Sequence, residues 1–263
     1  MTKLYISPTN QPNTYPNGKT TEQKECAKIA KTIGKYLSEY DVTYQVGDET
    51  KMMWITDANG NLTGGRIKDA IAWKADWYFE IHTNAGSKTA TGAVSIVRTG
   101  IADRERMANA LVGALNALAV KANPAFRSNR SESIKEGYTT HWGAVRYPEL
   151  GGVKGMLLEV NFHENPAVAE WIIANTDSIG KTIADTIAKE LKLKKKTTTT
   201  TTTVEPTRFP DVPKTHWAYD HIENLAEAGL IKGYADGTFR PDEPITRAQV
   251  CKIVDLAMQL MKK

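Results

Sequence analysis

Three side chains in this sequence carry types and positions suited to hydrolytic chemistry: Glu22, His82 and Glu159. His82 closes the run Trp77-Tyr78-Phe79-Glu80-Ile81, whose aromatic and β-favouring make-up predicts a buried strand. Thr83, Asn84, Ala85 and Gly86 then turn the chain away. Glu159 closes a second apolar run, Met156 to Val160, and is followed by Asn161-Phe162-His163-Glu164-Asn165-Pro166. Glu22 opens a helix behind a first strand, Leu4 to Ile6. A carboxylate at an apolar strand end is costly unless it meets a metal, a base or water. Zinc accepts both imidazole nitrogen and carboxylate oxygen, and a further carboxylate beside it can take a proton from water. A capping histidine and an ordinary strand-end ion pair explain the same residues more plainly, so spacing alone leaves both readings open.

For these residues to meet, the elements that carry them must share one end of a sheet. Thr20 or Thr21 caps a helix over Glu22 to Ser38, with Cys26, Ile29, Ala30, Ile33 and Leu37 at spacings of three and four. Tyr40 to Val46 alternates as a strand, Met52 to Gly65 reads as a loop and Arg66 to Lys74 as a helix. Gly92 to Arg98 predicts a strand and Ala102 to Val120 a helix. Residues 121 to 152 read as irregular and polar, with His141 in a long loop that is a candidate substrate rim. Helices over Ala167 to Ala174 and Ser178 to Leu191 close the unit. Alternation of this kind predicts an α/β fold, a mostly parallel sheet with helices on both faces, whose ligand site lies beyond the carboxyl ends of the strands.

Lys194-Lys195-Lys196, seven threonines from Thr197 to Thr203 and Val204-Glu205-Pro206 bury nothing and read as a linker over 194–207. The expected organisation is a catalytic domain at 1–193, this linker, and a second unit at 208–263, at about 55 residues near the lower limit for folding alone. Across 263 residues the formal charge is only +4, with no dense basic stripe, which argues against a nucleic-acid partner. Cys26 and Cys251 fall in different units and outside any C-x-x-C pair, so neither a disulfide framework nor a thiolate zinc site is expected. No stretch approaches a membrane span, and MTKLYISPTNQ lacks the apolar core of a signal peptide.

Residues 3 to 193 resemble the zinc-dependent N-acetylmuramoyl-L-alanine amidases of the amidase-3 family, as found in phage endolysins and bacterial autolysins. Arg66 ahead of ADWYFEIHTNA resembles the family's arginine and its "aD…SIHaNA" strand. LLEVNFHENP resembles "vEtGFlsNp", and Glu22 matches the glutamate that opens the family's first helix. The resemblance implies Zn2+ as cofactor, Glu22 and His82 as its ligands, and Glu159 as the carboxylate that activates water. Where the family has "DPGHGG" this chain has Ser7-Pro8-Thr9-Asn10-Gln11, with no imidazole. His163 is the expected replacement nitrogen, ahead of His141. Arg66, Asn84 and His141 are the candidate substrate contacts.

FPDVP…HWAYDHIENLAEAGLIKGYADGTFRPDEPITRAQV resembles a single S-layer homology (SLH) module. That implies binding to secondary cell-wall polysaccharide, with Trp217, Gly233, Tyr234 and Arg247 as candidate contacts. Gln249 stands where the family motif ends in glutamate. Such modules commonly work in threes, so self-association through this one copy is a further expectation. The whole reads as a Gram-positive phage endolysin, made in the host cytoplasm without a signal peptide and acting on peptidoglycan after release. The alternatives are a host autolysin of the same activity, a non-catalytic peptidoglycan-binding protein with a degenerate site, and an intracellular hydrolase of another amide.

Overall fold

A computed structural model describes residues 1–196, 208–214 and 216–260. It divides into two compact units, 1–197 and 198–263. In the first, the strands β1 (Lys3–Pro8), β2 (Thr43–Val46), β5 (Trp77–Asn84), β6 (Val94–Val97), β7 (Ile134–Glu136) and β8 (Lys154–Phe162) form one sheet in the order β2-β1-β5-β8-β6-β7. The pairs β2-β1, β1-β5 and β5-β8 are parallel, whereas β6 runs antiparallel to β8. The short β3 (Ile55–Thr56) and β4 (Leu62–Gly64) form a separate hairpin within the segment expected as a loop.

Side-chain alternation along the strands divides the core into two layers. Trp77, Phe79, Ile81, Met156, Leu158 and Val160 face a layer completed by α1 (Glu22–Leu37), α3 (Ala102–Ala122), α5 (Pro166–Ala174) and α6 (Thr176–Glu190). Tyr5, Tyr78 and Leu157 face the other, covered by α2 (Arg66–Ala72) and α4 (Gly143–Leu150). The α/β architecture with helices on both faces is therefore as the alternation of apolar runs requires. Gly155 lets α4 lie close on β8, since a Cβ there would meet the Val145 carbonyl oxygen at 2.8 Å.

One expectation needs correction. Residues 121–152 are not irregular throughout: they hold β7, α4 and a 3-10 turn at Pro124–Phe126. A three-residue strand and a helix interrupted by Pro148 are too short and too polar to show a period. At the expected start of the linker the chain is still tied back, with Asp41 N–H donating to the Lys194 carbonyl and Lys196 N–H to the Glu39 carbonyl. The threonine run lies outside the described residues.

Glu136 locks the end of β7. Burial opposes its ionisation, but donation from the Thr99 hydroxyl and from the backbone N–H groups of Thr139, Thr99 and Tyr138 holds its pKa at about 2. A carboxylate depressed on folding stabilises above its unfolded pKa and loses that contribution as pH falls through its folded value. Because Glu136 is partly exposed, Glu136→Gln is expected to cost roughly 1–2 kcal/mol at pH 7. Urea melts from pH 7 down to 2 should show the gap to wild type closing between about pH 4.5 and pH 2; a constant gap would refute this.

The second unit packs Phe209, Val212, Ala218 and Ile222 into a small core beside α7 (Tyr219–Glu227), with α8 (Arg247–Leu260) following. Gly233 is required where it stands, since a Cβ would meet Phe209 at 2.5 Å and the Thr238 carbonyl at 2.6 Å. The Asp211 carboxylate accepts the N–H groups of Phe239 and Arg240 and ties the turn down. No helix among the described residues is long and apolar enough to cross a membrane.

Candidate metal and catalytic centre

Register alone brings two of the three chemistry-bearing residues together. His82 of β5 lies directly opposite Glu159 of β8 in a parallel pair, so both side chains leave the same face at one end of the sheet. Glu22 arrives from the first turn of α1, whose Thr21 hydroxyl caps the helix by accepting the Lys24 N–H. One Glu22 oxygen accepts from Thr83 N–H at 3.2 Å and lies 2.9 Å from His82 Nδ1. The other accepts from the Asn13 amide at 2.7 Å. One donor atom from each of Glu22, His82 and Glu159 lies within 4.8 Å of the others, and all three residues are buried. Among the described residues this is the one such group.

Burial and neighbouring charge shift the protonation of Glu159 and His82. Burial pushes the Glu159 pKa up to about 7, with the charge on His82 working against that shift and Glu22 adding to it. Burial acts to lower the His82 pKa, yet the hydrogen bond to Glu22 and the charges of Glu159, Glu80 and Glu22 leave it raised. Below His82 lies Glu80, fully buried and paired with Arg66 at 2.8 Å. Glu22, Glu80 and Glu159 place three carboxyl groups in the interior beside one buried guanidinium, with His82 a further buried group able to carry positive charge. Glu159 Oε2 is buried with no hydrogen-bond partner. Buried charge and an orphaned oxygen of this kind fit a divalent cation, and imidazole with carboxylates is a donor set that zinc accepts.

The structure does not bring every expected residue here. His163 stays outside the group of three: its Nδ1 donates to the Thr83 carbonyl at 2.9 Å, also lies 3.0 Å from the Thr83 hydroxyl, and its ring stacks on Tyr15. His163 thus supports the residue that orients Glu22. Arg66 cannot meet a substrate, because it is wholly buried between Glu80, Ser7 and the Lys51 carbonyl. His141 follows β7, which runs against β8, so it emerges at the opposite end of the sheet from Glu159. It lines a small hollow with Asn59, Arg146 and Tyr147 instead. Asn84 ends β5 beside the group, and its carbonyl accepts the His163 N–H. Glu80, Thr83, Tyr15 and Asn13 are the supporting residues that the sequence reading passed over.

In the second unit Trp217 is 82% exposed, which excludes a core role, whereas Phe239 packs against Phe209 at 5.2 Å. A cavity of about 750 Å³ is lined by Gly233, Tyr234, Arg240, Ile245, Gln249 and Lys252. The Arg240 guanidinium lies 4.4 Å from the Tyr234 ring. Arg247, at the start of α8, is exposed and lies outside the cavity lining.

An α/β sheet with a buried histidine and two carboxylates at its carboxyl end defines a candidate metallohydrolase. Residues 9–201 match the family described as N-acetylmuramoyl-L-alanine amidase, and residues 208–251 match the S-layer homology domain. The chain belongs to the N-acetylmuramoyl-L-alanine amidase family. Its first unit shares the fold of the catalytic domain of CwlV, an N-acetylmuramoyl-L-alanine amidase of Bacillus (Paenibacillus) polymyxa, with TM-score 0.52 and 16% identity over 74% of this chain and 100% of that one. It likewise shares the fold of the CwlD amidase of Clostridioides difficile, with TM-score 0.55 and 14% identity over 72% and 98% of the two chains. Curated relatives match by sequence over short stretches. Outer membrane protein alpha of Thermotoga maritima is 40% identical over 55 residues, 21% of this chain and 14% of that protein. The S-layer protein of Bacillus licheniformis is 36% identical over 93 residues, 34% of this chain and 10% of that protein. The chain thus spans a small fraction of the length of these relatives.

Proposed function

We propose that this protein hydrolyses the amide between N-acetylmuramic acid and the L-alanine of the peptidoglycan stem, as an endolysin-type enzyme. The observation that carries the reading is the convergence of Glu22, His82 and Glu159 in a buried site, with one Glu159 oxygen left without a partner. Glu22 and His82 would hold Zn2+, which when bound supplies Lewis acidity toward the scissile carbonyl. Glu159 sits beside them with a free oxygen and a pKa near 7, poised to accept a proton from water and pass it to the departing amine. Thr83 N–H and the Asn13 amide hold the Glu22 carboxylate in place. A non-catalytic binding protein would have no use for an unpartnered buried carboxylate, which is the argument against that alternative.

The test is product identity. Purified Gram-positive walls treated with the full chain should release peptides with new L-alanine amino termini, read by end-group labelling and mass spectrometry. Reducing sugar ends or new D-amino-acid termini without L-alanine would overturn the assignment.

The second unit is proposed to bind secondary cell-wall polysaccharide, with Tyr234 and Gly233 lining the cavity and Trp217 and Arg247 exposed. Trp217→Ala and Tyr234→Ala are each expected to reduce sedimentation of the full chain with walls at least about threefold, in keeping with loss of one aromatic contact of about 1 kcal/mol. Unchanged sedimentation in both would remove these residues from the contact surface. Self-association through this unit is part of the same proposal.

A further inference from the structure

We propose that Glu80 is a positioning residue for the cation site, receiving the Nε2–H of His82 while Nδ1 faces a cation held with Glu22. The inference rests on the metal reading above and goes beyond it. Glu80 precedes His82 by two residues on β5, so the two side chains share a face. Both are buried, Glu80 completely. The Glu80 carboxylate is fixed at both oxygens: Oε1 is 2.8 Å from Arg66 Nη2, and Oε2 accepts from the Tyr78 hydroxyl. Burial, then the Glu80 charge, push the Tyr78 pKa well above its ordinary value, so that hydroxyl remains a donor. Arg66 is itself held by Ser7, whose position faces Glu80 across the β1-β5 ladder.

The imidazole of His82 thus stands between two carboxylates. Nδ1 lies 2.9 Å from Glu22, one of the two residues with which His82 converges. Nε2 is buried without a hydrogen-bond partner, and Glu80 Oε1 faces it at 3.7 Å. A neutral imidazole carries one proton. When the Nδ1 lone pair is given to a cation, that proton must reside on Nε2, and a shift of well under 1 Å closes the contact to Glu80 into a hydrogen bond. Such outer carboxylates fix the tautomer and ring orientation of a ligating histidine and raise its basicity. Serine occupies this position in the "SIHaNA" pattern that β5 resembles, so the carboxylate is a feature of this chain.

The experiment titrates Co2+ into the metal-free full chain against a chromophoric chelator, for wild type, Glu80→Gln and the double variant Arg66→Met with Glu80→Gln. The double variant removes the guanidinium together with its counter-charge and guards against unfolding of the single one. Thermal melts accompany each. Folded variants are expected to bind Co2+ about 10- to 100-fold more weakly than wild type, with a shifted visible absorption band. Long-range 1H–15N spectra of zinc-loaded wild type are expected to place the His82 proton on Nε2. Affinities within twofold of wild type in the folded variants, or a metal-bound Nε2, would overturn the inference. A wild-type chain that binds neither Co2+ nor Zn2+ would instead overturn the metal reading, and this inference with it.

Discussion

Replacing Glu159 with glutamine is expected to lower release of L-alanine termini from peptidoglycan by about 10³-fold or more, the loss that follows removal of a positioned general base. The substituted amide keeps the shape of the side chain and its place opposite His82. It cannot accept the proton of the attacking water. Because the native carboxyl is strained by burial, with its pKa raised to about 7, the glutamine variant is expected to fold at least as stably as wild type. That combination separates a catalytic role from a structural one. Near-wild-type activity in the folded variant would show that another group takes the proton.

Arg66→Met is expected to have the largest effect on stability, with no direct contact to substrate. The guanidinium is completely buried and bonded to Glu80, Ser7 and the Lys51 carbonyl. Its removal leaves Glu80 charged and unpaired in the interior, which costs about 3–5 kcal/mol. For a unit of this size that lowers Tm by roughly 10 °C. The loss should be recovered in part when Glu80→Gln is added, since the pair is then removed together. A melt for Arg66→Met within 2 °C or so of wild type would contradict the account of Arg66 as a buried counter-charge.

The layers of the fold were legible in the sequence because they follow from periodicity. The apolar runs carrying His82 and Glu159 near their ends read as buried strands, and the three- and four-residue spacing from Cys26 to Leu37 reads as a helix laid on them. β7 and α4 were not legible, since three residues carry no period and Pro148 breaks the helical one. The direction of β6 was not legible either, because a strand reads the same both ways, and this reversal carries His141 away from the site. Glu22, His82 and Glu159 were legible as a group because strand ends gather on one side of a parallel sheet. His163 was not, because its commitment to Thr83 is a contact between β5 and the end of β8 that no local pattern encodes. Glu80 did leave a signal: a charge two residues before His82, inside a strand expected to be buried, needs a buried partner. Arg66 is that partner, and a sequence reading that weighed the cost of burying Glu80 would have taken Arg66 from the substrate to the interior.

The most direct test of the central claim is hydrolysis of purified Gram-positive peptidoglycan by the full chain before chelation, after removal of metal, and after return of Zn2+, following new L-alanine amino termini. The account predicts release by the untreated protein, loss of it in the chelated protein, and recovery on addition of about one equivalent of zinc, one ion for one site. Release that is indifferent to chelation, in a protein shown to hold no metal, would contradict it.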